Sequence, residues 1–171
     1  MKCNPIKMVL NAMKTMIYLE TIIHAPLERC FDLSRSIDLH MASTNGSNEK
    51  AVAGRLKGLI LEGETVTWEA THFFVRQLLT TKITSMQRPF RFYDVMQQGA
   101  FKSMEHEHLF YDQDGSTIMK DVFVYETPYG IFGQLFDKLV LRRYMSALLK
   151  ERNQAIKNFA ESGAWKQFIL S

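Results

Sequence analysis

The stretch PYGIFGQLFDKLVLRRYMSALLKERNQAIKNFAE, residues 128–161, decides the fold. After Pro128 it has no proline, and its two glycines, Gly130 and Gly133, stand in its first turns. Phe132, Leu135, Phe136 and Leu139 recur at helical spacing, followed by Ala147, Leu148, Ala155, Ile156 and Phe159 near the same broad face. The stripe is interrupted where it passes Glu151 and Arg152. A helix this long needs one large apolar surface to lie against, and the residues before it supply strands.

Immediately upstream, residues 101–111 and 117–126 flank Asp112-Gln113-Asp114-Gly115-Ser116, a composition that suits a tight turn. Two registers are open, with Phe110 opposite either Met119 or Thr117. Either keeps Lys102, Met104, His106, His108 and Phe110 on the face of Thr117, Met119, Asp121, Phe123 and Tyr125. That face is expected to point inward. The other carries Glu105, Glu107, Lys120 and Glu126 and leans to solvent. Residues 65–74, 76–86 and 90–96 read as further strands, and residues 50–56 as a weaker one because of Gly54. Residues 17–23 alternate as the first strand. Pro26 then suits the first turn of a short helix, and Ser36 caps a second that turns Ile37, His40 and Met41 to one side. The reading is α+β: about seven antiparallel strands in a curved sheet, two short helices after strand 1, and a long C-terminal helix gripped by the sheet.

At 171 residues the chain has room for one well-buried domain and is short for two. Hydrophobic residues make up 46%, which excludes general disorder. Twelve phenylalanines and ten methionines suit a core or an adaptable cavity wall. The net charge of +3, with Arg142-Arg143 the densest basic pair, argues against a nucleic-acid partner. Cys3 and Cys30 have no paired spacing and fit a reduced, cytoplasmic setting without disulfides. No apolar run approaches the roughly 18 residues of a membrane-spanning helix. The expected organisation is an N-terminal extension over 1–15, a domain over 16–162 and a tail over 163–171, in which Trp165, Phe168 and Ile169 fold back.

Three segments, ETIIHAPLERCFDLSRSIDLH, GETVTWEATHFF with PFRFYDVMQQGAFKSMEHEHLF, and DVFVYETPYGIFGQLFD, together resemble the START-like helix-grip fold of the SRPBCC superfamily. The likeness runs over residues 16–161 and extends to the polyketide cyclase/dehydrase-like branch. It implies a hydrophobic cavity between sheet and helix. The strand face with Trp68, His72, His106, His108, Asp121, Phe123 and Tyr125 would form one wall, and Phe132, Leu135, Phe136 and Leu139 the other. The fold carries binders and enzymes alike, so it does not decide activity.

His106 and His108, two positions apart on a strand, share a face, and Asp121 faces one of them across the hairpin. A carboxylate fixes an imidazole tautomer and raises its basicity, so this set is the candidate acid–base centre; a structural polar cluster is the competing reading. The H-x-H spacing also occurs in metal sites, but no further ligand motif supports one, and neither metal nor cofactor is expected. His40 is a candidate at the cavity mouth. Asp94 alternates with Phe90, Phe92 and Met96 and is a candidate buried carboxylate needing a donor. The leading function is binding of a small hydrophobic or aromatic molecule, lipid or polyketide-like, by a monomer or homodimer. A cyclase or dehydratase using a pocket histidine and a protein-interaction module presenting Trp165 and Phe168 are the alternatives.

Overall fold

The computed structural model describes residues 14–44 and 48–169. Almost all of the expected N-terminal extension, Cys3 and most of the loop at 44–48 therefore lie outside the described residues. β1 (Thr15–Ile23) leads into α1 (Leu27–Ser34) and α2 (Ile37–Ser43). Then come β2 (Lys50–Gly54), β3 (Thr65–His72), β4 (Val75–Gln87), β5 (Arg91–Gln98), β6 (Ser103–Gln113) and β7 (Ser116–Glu126). α3 (Gly130–Phe136) passes through a π-helical turn, Asp137–Leu141, into α4 (Arg142–Glu161). A 3₁₀ turn, Gly163–Trp165, precedes α5 (Lys166–Ile169).

The seven strands form one antiparallel sheet in the order β1-β7-β6-β5-β4-β3-β2. Its pairing follows the period-two pattern. Along β7 every second residue is buried, so Thr117, Met119, Asp121, Phe123 and Tyr125 all face the core. The β6–β7 turn selects the register that sets Phe110 opposite Met119 and His108 opposite Asp121. Register shifts at Thr80/Thr81 and Ile83/Ser85 bend β4, giving the sheet a concave face. β3 stops at His72, short of the expected Phe74. Phe73 and Phe74 both adopt positive φ and form a two-residue turn in positions that asparagine and glycine usually occupy.

α4 lies across the concave face and buries Leu149, Arg152, Asn153, Ile156 and Ala160. This is not the expected face. Ala147 is exposed and Leu148 only half-buried. The π turn explains the difference. Through it the inward positions step back by four residues, from Leu149 to Met145, Leu141, Asp137 and Gly133, instead of the 3.6 of a regular helix. Phe132, Leu135 and Leu139 are thereby rotated outward. Gly133 itself is packed so tightly that a Cβ there would come within 1.9 Å of the Pro128 carbonyl oxygen. Only glycine lets α3 sit this close to the end of β7.

The apolar interior is divided. One cluster joins α1, α2 and the β3–β7 face, with Phe31 edge-on to Phe92 and Phe110 at 5.5 and 5.4 Å. Cys30 is fully buried within it. A second cluster gathers Ile17, Met104, Phe123, Tyr125 and Leu149. The C-terminal segment does fold back. Phe168 is buried against Phe159, ring centroids 4.7 Å apart, and Arg29 lies 4.6 Å over the Trp165 ring. No helix among the described residues is long and apolar enough to cross a membrane.

Candidate functional site

A cavity of about 400 Å³ opens where the two apolar clusters fail to meet, and both contribute to its walls. Val66, Trp68, Ile83 and Phe92 line the sheet side, with Met104 and Phe123 from β6 and β7. Leu148 and Leu149 of α4 close it from above. The partly exposed Phe73, Leu78, Tyr129 and Phe136 mark its mouth. His72 stands nearby, its Nδ1 2.7 Å from the Tyr144 hydroxyl. The inner end is polar: Thr81, Asp94, His106, His108 and Arg152.

Asp121 lies behind this polar end, fully buried and absent from the cavity surface. His106 Nε2 is 2.8 Å from its Oδ1. His108 Nδ1 is 3.0 Å from the same oxygen but poorly aligned for a hydrogen bond. Asn153 Nδ2 donates to Oδ2 at 2.6 Å, and Arg152 Nη1 stands 3.6 Å from Oδ1. Burial opposes ionisation of Asp121, yet the two neighbouring imidazoles, His106 through its hydrogen bond first, outweigh it and hold the carboxyl well below the usual range. The His108 ring is stacked on Phe92 at 4.1 Å. Burial first, and the neighbouring His106 second, hold its imidazole well below the ordinary histidine value. His108 is therefore neutral. In its neutral form His106 donates from Nε2–H to Asp121, and Nδ1 is the nitrogen left to accept a proton.

Asp94 keeps some accessible surface on the cavity wall while its Oδ1 is shut off and has no hydrogen-bond partner. Burial pushes its carboxyl up, with the positive potential of His106 opposing. Arg152 donates from Nη2 to the Ser34 carbonyl at 2.8 Å, leaving Nη1 without a hydrogen-bond partner. Thr81 Oγ1 stands near the Asp94 carboxyl without a well-formed hydrogen bond. Such groups are costly unless something else satisfies them.

Of the residues expected to meet the cavity, His40, Trp68, His72, Asp94, Met104, His106, His108, Phe123 and Phe136 line it. His40 stacks on Trp68 at 4.1 Å and its Nε2 is 2.6 Å from Glu49. Phe132, Leu135 and Leu139 do not reach the cavity; the π turn faces them to solvent. Tyr125 is fully buried but ends behind the wall, its hydroxyl donating to Asp137, which also accepts from Thr15 at 2.5 Å. Arg152, Thr81 and Tyr144 line the cavity, and Asn153 supports it, without having been singled out. The signal for Arg152 and Asn153 was present: they lie three and four residues after Leu149 and before Ile156, on the helix face that packs inward.

The ligand atoms of His106, His108 and Asp121 lie within 4.8 Å of one another, close enough to share a metal ion. The donor set fits one poorly. Arg152 places a positive charge beside Asp121, and Asn153 already occupies its second oxygen.

No family model matches the chain, and no curated protein matches it in sequence. Solved structures do. TTHA0849 from Thermus thermophilus superposes with a TM-score of 0.63 at 20% identity, over 83% of this chain and 97% of that one. A START superfamily protein from Mycobacterium smegmatis gives 0.63 at 12%, over 85% and 97%. The di-domain ARO/CYC StfQ from the steffimycin biosynthetic pathway gives 0.70 at 10%, over 88% of this chain and 52% of that one. At these identities the likeness is one of fold alone: a curved antiparallel sheet gripping a long C-terminal helix, shared with these three structures.

Proposed function

We propose that this protein binds a small, largely apolar molecule, lipid or polyketide-like, with one polar end. The observation that carries the reading is the cavity itself: apolar walls leading to an inner end where Asp94 Oδ1, Arg152 Nη1 and Thr81 Oγ1 make no hydrogen bond. About 400 Å³ lies within the roughly 300–1,000 Å³ of small-molecule sites, and a few convergent polar groups in an apolar pocket are their usual composition. A ligand oxygen could accept from Arg152, and a ligand hydroxyl could donate to Asp94. Native mass spectrometry after incubation with lipid and metabolite extracts tests this. The wild-type protein is expected to retain a molecule that Asp94→Asn and Arg152→Met retain at least tenfold less, the scale of one charge-assisted hydrogen bond. Retention of nothing by the wild type, or equal retention by both variants, counts against it.

A second reading is an enzyme of the cyclase or dehydratase kind. It is favoured by His106, which lines the cavity with Asp121 behind it and so could take a proton from a bound substrate at Nδ1. Turnover of a retained molecule that disappears in His106→Ala, with retention intact, would separate enzyme from carrier. The burial of Phe168 and the covered Trp165 weigh against a tail-mediated interaction module. We further infer a cytoplasmic monomer or homodimer without a nucleic-acid partner, its ligand-binding unit spanning 16–162 and followed by a tail over 163–171.

A further inference from the structure

Beside the mouth of the cavity, apolar side chains stand where water should favour polar ones. Phe74 is fully exposed at the tip of the β3–β4 hairpin, on a turn whose left-handed backbone disfavours phenylalanine. On α3 and the π turn, Ile131, Phe132, Leu135 and Leu139 are each more than half exposed. Phe73 joins the two elements, its ring 5.6 Å from Phe136 and 4.7 Å from Tyr144, so hairpin tip and helix present one continuous face. A contiguous apolar face of this kind marks an interaction surface.

Its charge identifies the partner. Between residues 128 and 150 the only acidic residue is Asp137, which is buried and bonded to Thr15 and Tyr125. Over the same span Lys138, Arg142, Arg143 and Lys150 are exposed and form no ion pair with any described residue. Arg76, on the hairpin, is already paired with Glu69. The face thus combines protruding apolar groups with unpaired flexible cations and no exposed carboxylate between residues 128 and 150, the first one following at Glu151. A folded protein partner would meet a mosaic of both signs. A fluid surface, apolar beneath and uniformly negative above, matches what is here.

We propose that this face docks on a bilayer bearing anionic headgroups, with Phe74 and the exposed side of α3 seated at the boundary between headgroups and acyl chains. Lys138, Arg142 and Arg143 then lie at the level of the lipid phosphates. Phe73, Leu78, Tyr129 and Phe136 line the cavity mouth within the same face, so an apolar molecule would pass between bilayer and cavity without crossing water. That last consequence rests on the ligand-binding reading; the docking does not.

The test is co-sedimentation of the full chain, without added ligand, with vesicles of phosphatidylcholine alone and of phosphatidylcholine containing a quarter phosphatidylglycerol. Binding is expected to the anionic vesicles and to weaken as salt rises. Phe74→Asn, which suits the turn, should lower the partition coefficient about tenfold. Arg143→Gln should lower it about fivefold. Circular dichroism should be unchanged in both, because both side chains are exposed. Absence of wild-type binding to anionic vesicles at low salt overturns the proposal, as does binding that survives in Phe74→Asn/Phe132→Ser. Self-association that this double variant abolishes, without vesicle binding, would assign the face to a second copy instead and equally overturn it.

Discussion

At the inner end of the cavity, polar groups are where apolar ones are expected: Asp121, His106, His108, Arg152 and Asn153 are all buried together. On the surface beside its mouth the inversion runs the other way, with Phe74, Phe132, Leu135 and Leu139 in water. The two ends differ in how they hold their exceptions. Inside, nearly every polar group leans on another, so Asp121 is the hub of a network that fixes the geometry of β6, β7 and α4. Outside, the exceptions hold up almost nothing.

The largest effect should come from the hub. Asp121→Ala leaves two imidazoles, an amide and a guanidinium buried without their shared acceptor, and is expected to cost on the order of 3–5 kcal/mol in urea denaturation. A loss below about 1 kcal/mol would mean the network is a passenger like the mouth. A smaller effect concerns pH. The folded state keeps His108 neutral, whereas the unfolded chain protonates it near pH 6.5. Below that value the unfolded state binds more protons, so stability falls as pH drops from neutrality. His106, Asp121 and Arg152 are the charged or titratable groups facing it. Asp121 acts with the same sign further down: its contribution is present above pH 3.8 and is lost as pH falls through its lower folded value. In His108→Phe the slope of stability against pH just below 6.5 should flatten, and an unchanged slope would place the titration elsewhere. The smallest effect, and opposite in sign, belongs to the mouth. Phe74→Gly relieves a left-handed phenylalanine and should raise stability by about 1 kcal/mol. A destabilised variant would show that the tip is held by packing after all.

The fold was legible where periodicity speaks plainly. Alternation in residues 103–126 put Met104, His106, His108 and Phe110 on one face with Met119, Asp121 and Phe123, and both possible registers led there. Asp94 was legible for the same reason, as the polar member of an apolar alternation. Phe132, Leu135 and Leu139 were misplaced because a helical stripe was continued through Asp137–Leu141, where a π turn changes the period. Arg152 was read, with Glu151, as an interruption of that stripe, and Asn153 beside it drew no reading. They are instead its inward-facing polar part, since the inward face of α4 is offset from the most apolar one.

By itself the amino-acid sequence determined the strands, the two short helices, the hairpin and the terminal helix, because each depends on side chains a few residues apart and on the backbone freedom of glycine and proline. Only the tertiary structure decided which side of the helix meets the sheet, that Asp121 stands behind the cavity and Arg152 at it, and that Phe73 and Phe74 form a turn. Those outcomes depend on how closely α3 settles on Pro128 through Gly133 and on where the two apolar clusters fail to close. Such distances are set between segments remote in the chain, which no local pattern encodes.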